Sequence, residues 1–168
     1  YVTITRMVIY GFYYGIRLDS SHNNKVMDNT VVGSEDSGIN LYQSHYNYLT
    51  NNKVMNASGA ISLTLSNGNI LYGNRVSYNS QGISIYRGTN NTLRNNVMTA
   101  NEANFYVGYY YLSNYLHDID TSNTVDGKPI YWRINRKDEQ IPSDAGYVVL
   151  VNSTNMIIKD LALKNNTQ

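Results

Sequence analysis

One feature above all limits what this 168-residue chain can fold into: from Gly15 to Ala103 it repeats itself about every 22 residues. The repeats open Gly15-Ile16-Arg17-Leu18, Gly38-Ile39-Asn40-Leu41, Ala60-Ile61-Ser62-Leu63 and Gly82-Ile83-Ser84-Ile85, at spacings of 23, 22 and 22 residues. A unit this short cannot bury an apolar face alone, so stacked neighbours must do it for one another, which is the logic of a solenoid.

Apolar residues recur at fixed phases. Ile16/Leu18, Ile39/Leu41, Ile61/Leu63 and Ile83/Ile85 alternate with polar residues, the signature of a half-buried strand. Val26, Leu49, Leu71 and Leu93 form a second column, and Val31, Val54, Val76 and Met98 a third. Three short strand phases separated by Asn, Ser and Gly leave no room for a helix. The expected fold is all-β, a single-stranded parallel β-helix with the apolar columns stacked inside.

Asparagine falls in register between the strands. Asn24, Asn47, Asn69 and Asn91 share one phase; Asn29, Asn52, Asn74 and Asn96 share another. A side-chain amide both donates and accepts, so identical Asn residues on successive coils can bond in a ladder. Asn also tolerates the left-handed backbone of a corner. These residues are therefore read as structural. Ser21, Ser44, Ser66 and Gly88 mark a further turn column.

Composition narrows the partners. Thirteen Lys and Arg against twelve Asp and Glu leave a net charge of +1, so no basic excess exists to release counterions from nucleic acid. No apolar run reaches membrane-spanning length, and no signal peptide is visible. Cysteine is absent, which removes disulfides and thiolate metal sites. Neither a cofactor nor a metal is expected. His22 and His45 occupy equivalent phases and should stack at about 4.8 Å as turn residues; Met7, Met27, Met55, Met98 and Met156 are scattered over different phases.

The whole chain, 1–168, reads as one β-helix domain, with regular coils over 1–116, a hairpin and loop insertion over 117–143, and a further coil over 144–168. Asp126-Gly127 is a hairpin signal, and Pro129 should confine the strand after it to an edge. Asn135 to Ser143 reads as an exposed loop. The rod would hold about seven coils, roughly 30–35 Å at one strand spacing each. Tyr1 and Gln168 both fall in mid-repeat, so the expectation is a piece of a longer chain, with flanking coils or neighbouring copies against its ends.

The GIxLxxSxxN repeat, the segment NTVDGKPIYWR and the later GYVVLVNSTNMIIKDLALKNN together resemble the NosD-type repeat family, within the wider carbohydrate-binding and sugar-hydrolase (CASH) group. The NTVDGKPIYW segment is closest to the archaeal cell-surface branch. The resemblance implies a right-handed, pectin-lyase-like solenoid in a secreted or surface protein. It brings no single activity, because the family mixes enzymes, binders and proteins of unknown role.

Acid–base chemistry on a sugar needs two carboxyl groups flanking the bond. The outward positions of the repeat supply only Asp19. The catalytic candidates are therefore His117, Asp118 and Asp120, which alternation and proximity would bring near Arg133 and Arg136, and their plainer reading is a polar stretch entering a hairpin. Aromatic side chains offer the other lead. Tyr42 and Tyr86 share one outward phase two coils apart, roughly 10 Å, with Arg87, Tyr106 and Tyr109 to Tyr111 extending the region. Tyrosine pairs an apolar face with a polar tip and suits sugar stacking. Asn56, Asn90, Asn152 and Asn165 open Asn-x-Ser/Thr triplets and are candidate glycan acceptors.

The expected function is a non-catalytic structural or carbohydrate-binding module, extracellular or at the cell surface, whose partner is a polysaccharide or cell-envelope glycan. The alternatives are a self-assembling extracellular subunit stacking through uncapped coil ends, and a polysaccharide lyase, hydrolase or epimerase.

Overall fold

A computed structural model of the chain describes residues 1–108 and 110–166. Five complete coils stack as a right-handed parallel β-helix, fewer than the seven expected, and a sixth begins. The first sheet is built from Thr3–Thr5, Lys25–Met27, Tyr48–Thr50, Ile70–Tyr72, Thr92–Arg94 and Asp118–Ile119. The second takes Val8–Tyr10, Thr30–Val32, Lys53–Met55, Arg75–Ser77, Val97–Thr99 and Thr124–Val125. The third holds the six-residue strands Tyr14–Asp19, Ser37–Tyr42, Gly59–Thr64, Gln81–Tyr86 and Ala103–Gly108. Registers are in phase with the repeat: Val26 lies beside Leu49, Leu71 beside Leu93, Val54 beside Val76, and Ile39 beside Ile61.

The three apolar columns meet inside as one core. Leu49, Leu71, Leu93, Val54, Met98, Ile39, Leu41, Ile61 and Leu63 are all fully buried, and Phe105 continues the Ile column in the fifth coil. Burial of a full aliphatic side chain is worth about 1.5–3 kcal/mol, so each coil adds its own increment to the stack.

The corners are more sharply defined than the repeat suggested. Left-handed backbone falls on the residue before each ladder asparagine rather than on that asparagine: Asn23, Tyr46, Gly68 and Asn90 precede one column, and Asp28, Asn51, Gly73 and Asn95 the other. Two further corners per coil do the same, including Leu65, Tyr78 and Arg87, for which αL costs about 1–2 kcal/mol each. The ladders that follow oppose this strain. Asn47, Asn69 and Asn91 each donate a side-chain N–H to the carbonyl of Ser21, Ser44 and Ser66. Each Asn Oδ1 accepts the backbone N–H of the ladder residue one coil earlier, at 2.8 Å for Asn47 to Asn69 and for Asn69 to Asn91.

One column escaped the sequence reading, and the two turn columns that it marked also carry bonds from coil to coil. Asn79 and Asn101 form a third amide ladder, entered from Ala57 N–H at 2.9 Å. Ser44 and Ser66 hydroxyls accept from Ser21 and Ser44 N–H. His22 and His45 stack at 4.8 Å and 6°, and each Nδ1 accepts a backbone N–H from the next coil, His45 and Asn67 respectively.

Glycine at the start of a repeat is a packing requirement in one coil above the others. A Cβ on Gly82 would sit inside the van der Waals radius of the Asn104 backbone carbonyl, whereas Ala60 is accommodated at the same phase. We expect Gly82→Ala to lower stability by about 1–3 kcal/mol, read as a fall in the denaturant midpoint. An unchanged midpoint would show that the fifth coil yields.

The far end departs from expectation at several points. Asp118–Ile119 and Thr124–Val125 pair in parallel with Thr92–Arg94 and Val97–Thr99, so coiling continues past the boundary set at 116. The chain then reverses through Asp126 and Gly127, both at positive φ, into Lys128–Ile134, antiparallel to Thr124–Val125. That strand is not an edge: Tyr147–Val151 runs parallel along its other side. Pro129 is tolerated because it precedes the first paired residue of that ladder, Ile130. The supposed loop of 135–143 is half of a smaller stack. Ile130 pairs with Tyr147, Lys137 with Thr154 and Gln140 with Ile157, a constant offset of 17 residues, and Ile141 is buried.

Candidate functional site

Two regions gather the chemistry-bearing side chains. The first is the outer face of the third sheet. Asp19, Tyr42, Thr64 and Tyr86 stand in one row, linked residue to residue through the registers. Arg17, Asn40, Ser62, Ser84 and Tyr106 form the adjacent row. Tyr106 is therefore diagonal to Tyr86, whose direct neighbour is Gly108. Tyr86 is 40% exposed and Tyr42 half-buried. The Arg87 guanidinium lies 5.6 Å from the Tyr86 ring centre, and Arg17 lies 4.6 Å from Tyr14 and 6.0 Å from Tyr42 while pairing with Asp19 at 2.9 Å. Cation–π contacts of this kind hold rings in place without covering both faces. Tyr110 and Tyr111 are exposed beyond this sheet; Tyr109 lies outside the described residues.

The second region is an open cleft of about 360 Å³ at the junction of the two stacks. His117, Asp118, Ile119, Asp120 and Thr121 line one side, and Trp132, Arg133, Ile134 and Arg136 the other. The reversal at Asp126-Gly127 brings these segments together. Arg94 bonds both carboxylates, Asp118 at 2.6 Å and Asp120 at 3.0 Å. Asp120 also accepts from the Ser122 backbone N–H at 3.0 Å and from the Ser122 hydroxyl.

His117 is only 3% exposed, and its Nδ1 accepts the Asn91 backbone N–H at 3.1 Å. It thus takes the place of the next asparagine in the first ladder. The carbonyl of Gly88, which that asparagine would have met, is reached instead by the Asn114 amide at 3.3 Å. Two residues end the ladder that one would have continued. Burial pushes the His117 imidazole down to about 4, with the Asn114 backbone offsetting only part of the effect. Burial, and then the neighbouring His22, also lower His45.

A shallow dish of about 430 Å³ on the first sheet, lined by Lys25, Met27, Tyr48 and Thr50, was not anticipated. Its sequence signal is faint, because Tyr48 has Lys25 and Ile70 in its column rather than other aromatics. The four candidate acceptors Asn56, Asn90, Asn152 and Asn165 are all exposed and at positive φ. Asn152 donates to Asn135 Oδ1 at 2.6 Å, Asn165 donates to Asp126 Oδ2 at 3.1 Å, and Thr167 of the last triplet lies outside the described residues.

Comparison with known proteins gives two findings. The family model described as periplasmic copper-binding protein (NosD) matches residues 1–141. Among solved structures, a mutant of the periplasmic alginate epimerase AlgG is similar, at 15% identity and a TM-score of 0.43, over 92% of this chain and 50% of that one. The chain thus spans half the length of that structure. A search of curated proteins finds no match.

Copper in the family's description can be tested against the side chains. The stacked His22 and His45 rings lie within 6° of parallel, so their outer nitrogens point side by side rather than toward one ion. Each Nδ1 already accepts a backbone N–H, which leaves the ring proton on Nε2, the atom that would have to bind metal. Among the described residues no three His, Cys, Asp or Glu side chains cluster as ligands, and thiols are absent. The residues present do not fit a copper site.

Proposed function

The chain belongs to the NosD family, described as periplasmic, and from that premise we propose that it is a non-catalytic glycan-binding module of the cell envelope, secreted or held at the cell surface. The observation that carries this reading is the row Asp19–Tyr42–Thr64–Tyr86 on the long third sheet. A glycan running along the helix axis would meet a tyrosine ring at every second coil, roughly 10 Å apart, with Thr64 between them. Arg17, Asn40, Ser62, Ser84 and Arg87 supply donors and acceptors beside the rings. The surface is flat and pre-formed, so little ordering cost opposes binding.

The enzymatic alternative would rest on the cleft, where the histidine is already bonded and both carboxylates are ion-paired to one arginine. Arg94 holds both carboxylates, and His117 spends its acceptor nitrogen on the Asn91 backbone. A general base needs a free acceptor within reach of the proton it takes, and His117 has none.

Affinity electrophoresis through gels carrying envelope or plant polysaccharides tests the reading, with product analysis of the same gels for released sugar. Retardation that falls about tenfold in a Tyr42→Ala/Tyr86→Ala double variant, matching stacking losses of about 1–3 kcal/mol, is the expected result. Equal retardation of the double variant, or sugar release, would overturn it.

A further inference from the structure

The cleft between the two stacks has an uneven charge arrangement that the glycan reading does not use. On one side two carboxylates, Asp118 and Asp120, share one guanidinium, that of Arg94. On the other side two guanidiniums, Arg133 and Arg136, share one carboxylate, Glu139, at 3.6 and 3.7 Å. Those separations are beyond hydrogen-bond reach, and neither guanidinium makes a hydrogen bond among the described residues. One side therefore carries a surplus negative charge and the other a surplus positive charge, and among the described residues no ion pair joins them across the opening.

We propose that this cleft binds a dipolar ligand of amino-acid type, one that carries a carboxylate and an ammonium group within a single small unit. The ligand carboxylate takes the unfilled donors of Arg133 and Arg136, displacing Glu139 from a long, solvent-screened pairing that holds it weakly. The ammonium donates to Asp118 Oδ1, since Arg94 is bonded to Oδ2 and, among the described residues, no other donor reaches the carboxylate. Asp120 is the poorer acceptor because Ser122 occupies its Oδ1. An anion alone is repelled by the aspartates and a cation alone by the arginines, so the cleft selects for both charges together. Neither the tyrosine face nor any glycan enters this inference.

The test is an NMR titration of the full chain at low salt, following the arginine side-chain N–H signals. Glycine, β-alanine and 4-aminobutyrate supply increasing charge separation; acetate and methylammonium are the single-charge controls. At least one zwitterion should bind about tenfold more tightly than either control and weaken as salt rises. Asp118→Asn and Arg136→Gln should each weaken it severalfold, Glu139→Gln should strengthen it by freeing both guanidiniums, and Tyr42→Ala should leave it unchanged. Glycylglycine in the same series separates a free amino acid from a peptide end as the source of the two charges. Acetate binding as tightly as the best zwitterion, or no shift with any probe, would overturn the proposal.

Discussion

Replacing Asn74 by Asp should destabilise the protein by about 3–5 kcal/mol at pH 7, the scale of an unpaired buried charge. The side chain of Asn74 is completely buried. Its Nδ2 donates to the Leu49 carbonyl at 2.8 Å and to Asn96 Oδ1 at 2.9 Å, while its Oδ1 accepts both the backbone and side-chain N–H of Asn52 at 3.0 Å. Asp keeps the shape and the acceptor but turns the donor into an oxygen facing two other oxygens. Protonation supplies one O–H for two acceptors, so stability should partly recover as pH falls. That recovery separates loss of a donor from loss of volume, which Asn74→Ala would confound. Asn23→Asp, on an exposed left-handed corner, should change stability by no more than about 0.5 kcal/mol. Denaturant unfolding of the two variants measures the contrast. Equal effects would mean that the ladder is ornament to a stack held by its apolar columns alone.

The same ladder explains which parts of the fold were legible. Leu49, Leu71 and Leu93, or Asn47, Asn69 and Asn91, repeat one residue type at one phase, because each coil imposes the same geometry on the next. Where residue types vary, the phase survives but the letters hide it. Ser34 and Ala57 precede Asn79 and Asn101 in the third ladder, and nothing in Ser or Ala announces an amide column. After Gly108 the interval itself changes. The Asn91–His117 step is 26 residues and the Asn96–Asn123 step 27, because the turn of Leu112–Tyr115 is spliced into the coil. Counting in steps of 22 then leaves His117 without a column, and an isolated histidine beside two aspartates looks like chemistry. The second stack has only two turns, with Ile130 beside Tyr147 and Arg133 beside Leu150, so its 17-residue offset produces no visible repetition. The cleft was half legible: the side chains were named, and the hairpin does bring Arg133 and Arg136 to Asp118 and Asp120. Their pairing was not, since Arg94 comes from the coil below.

His117 should make the protein sensitive to mild acid, and His117→Asn should remove that sensitivity. In the folded chain burial holds the imidazole pKa near 4, against about 6.5 when unfolded. Above pH 6.5 the ring is neutral in both states and exacts no penalty. As pH falls from 6.5 to about 4, the unfolded chain takes up the proton and the folded chain does not, so stability is lost across that window and the loss levels off below it. The shift corresponds to about 3 kcal/mol in all. An asparagine at 117 presents Oδ1 where Nδ1 now accepts the Asn91 N–H, restoring the residue type of the column without a titrating group. Its cost at pH 7 should stay under about 1.5 kcal/mol, the worth of a single imperfect bond. The measurement is the denaturant midpoint of each at pH 7, 5.5 and 4. The wild-type midpoint should fall more steeply than that of the variant between the first and last, and parallel profiles would show that His117 is protonated inside the fold. A neutral histidine ending the principal ladder thus ties the integrity of the junction, and of the cleft formed there, to the acidity of the medium.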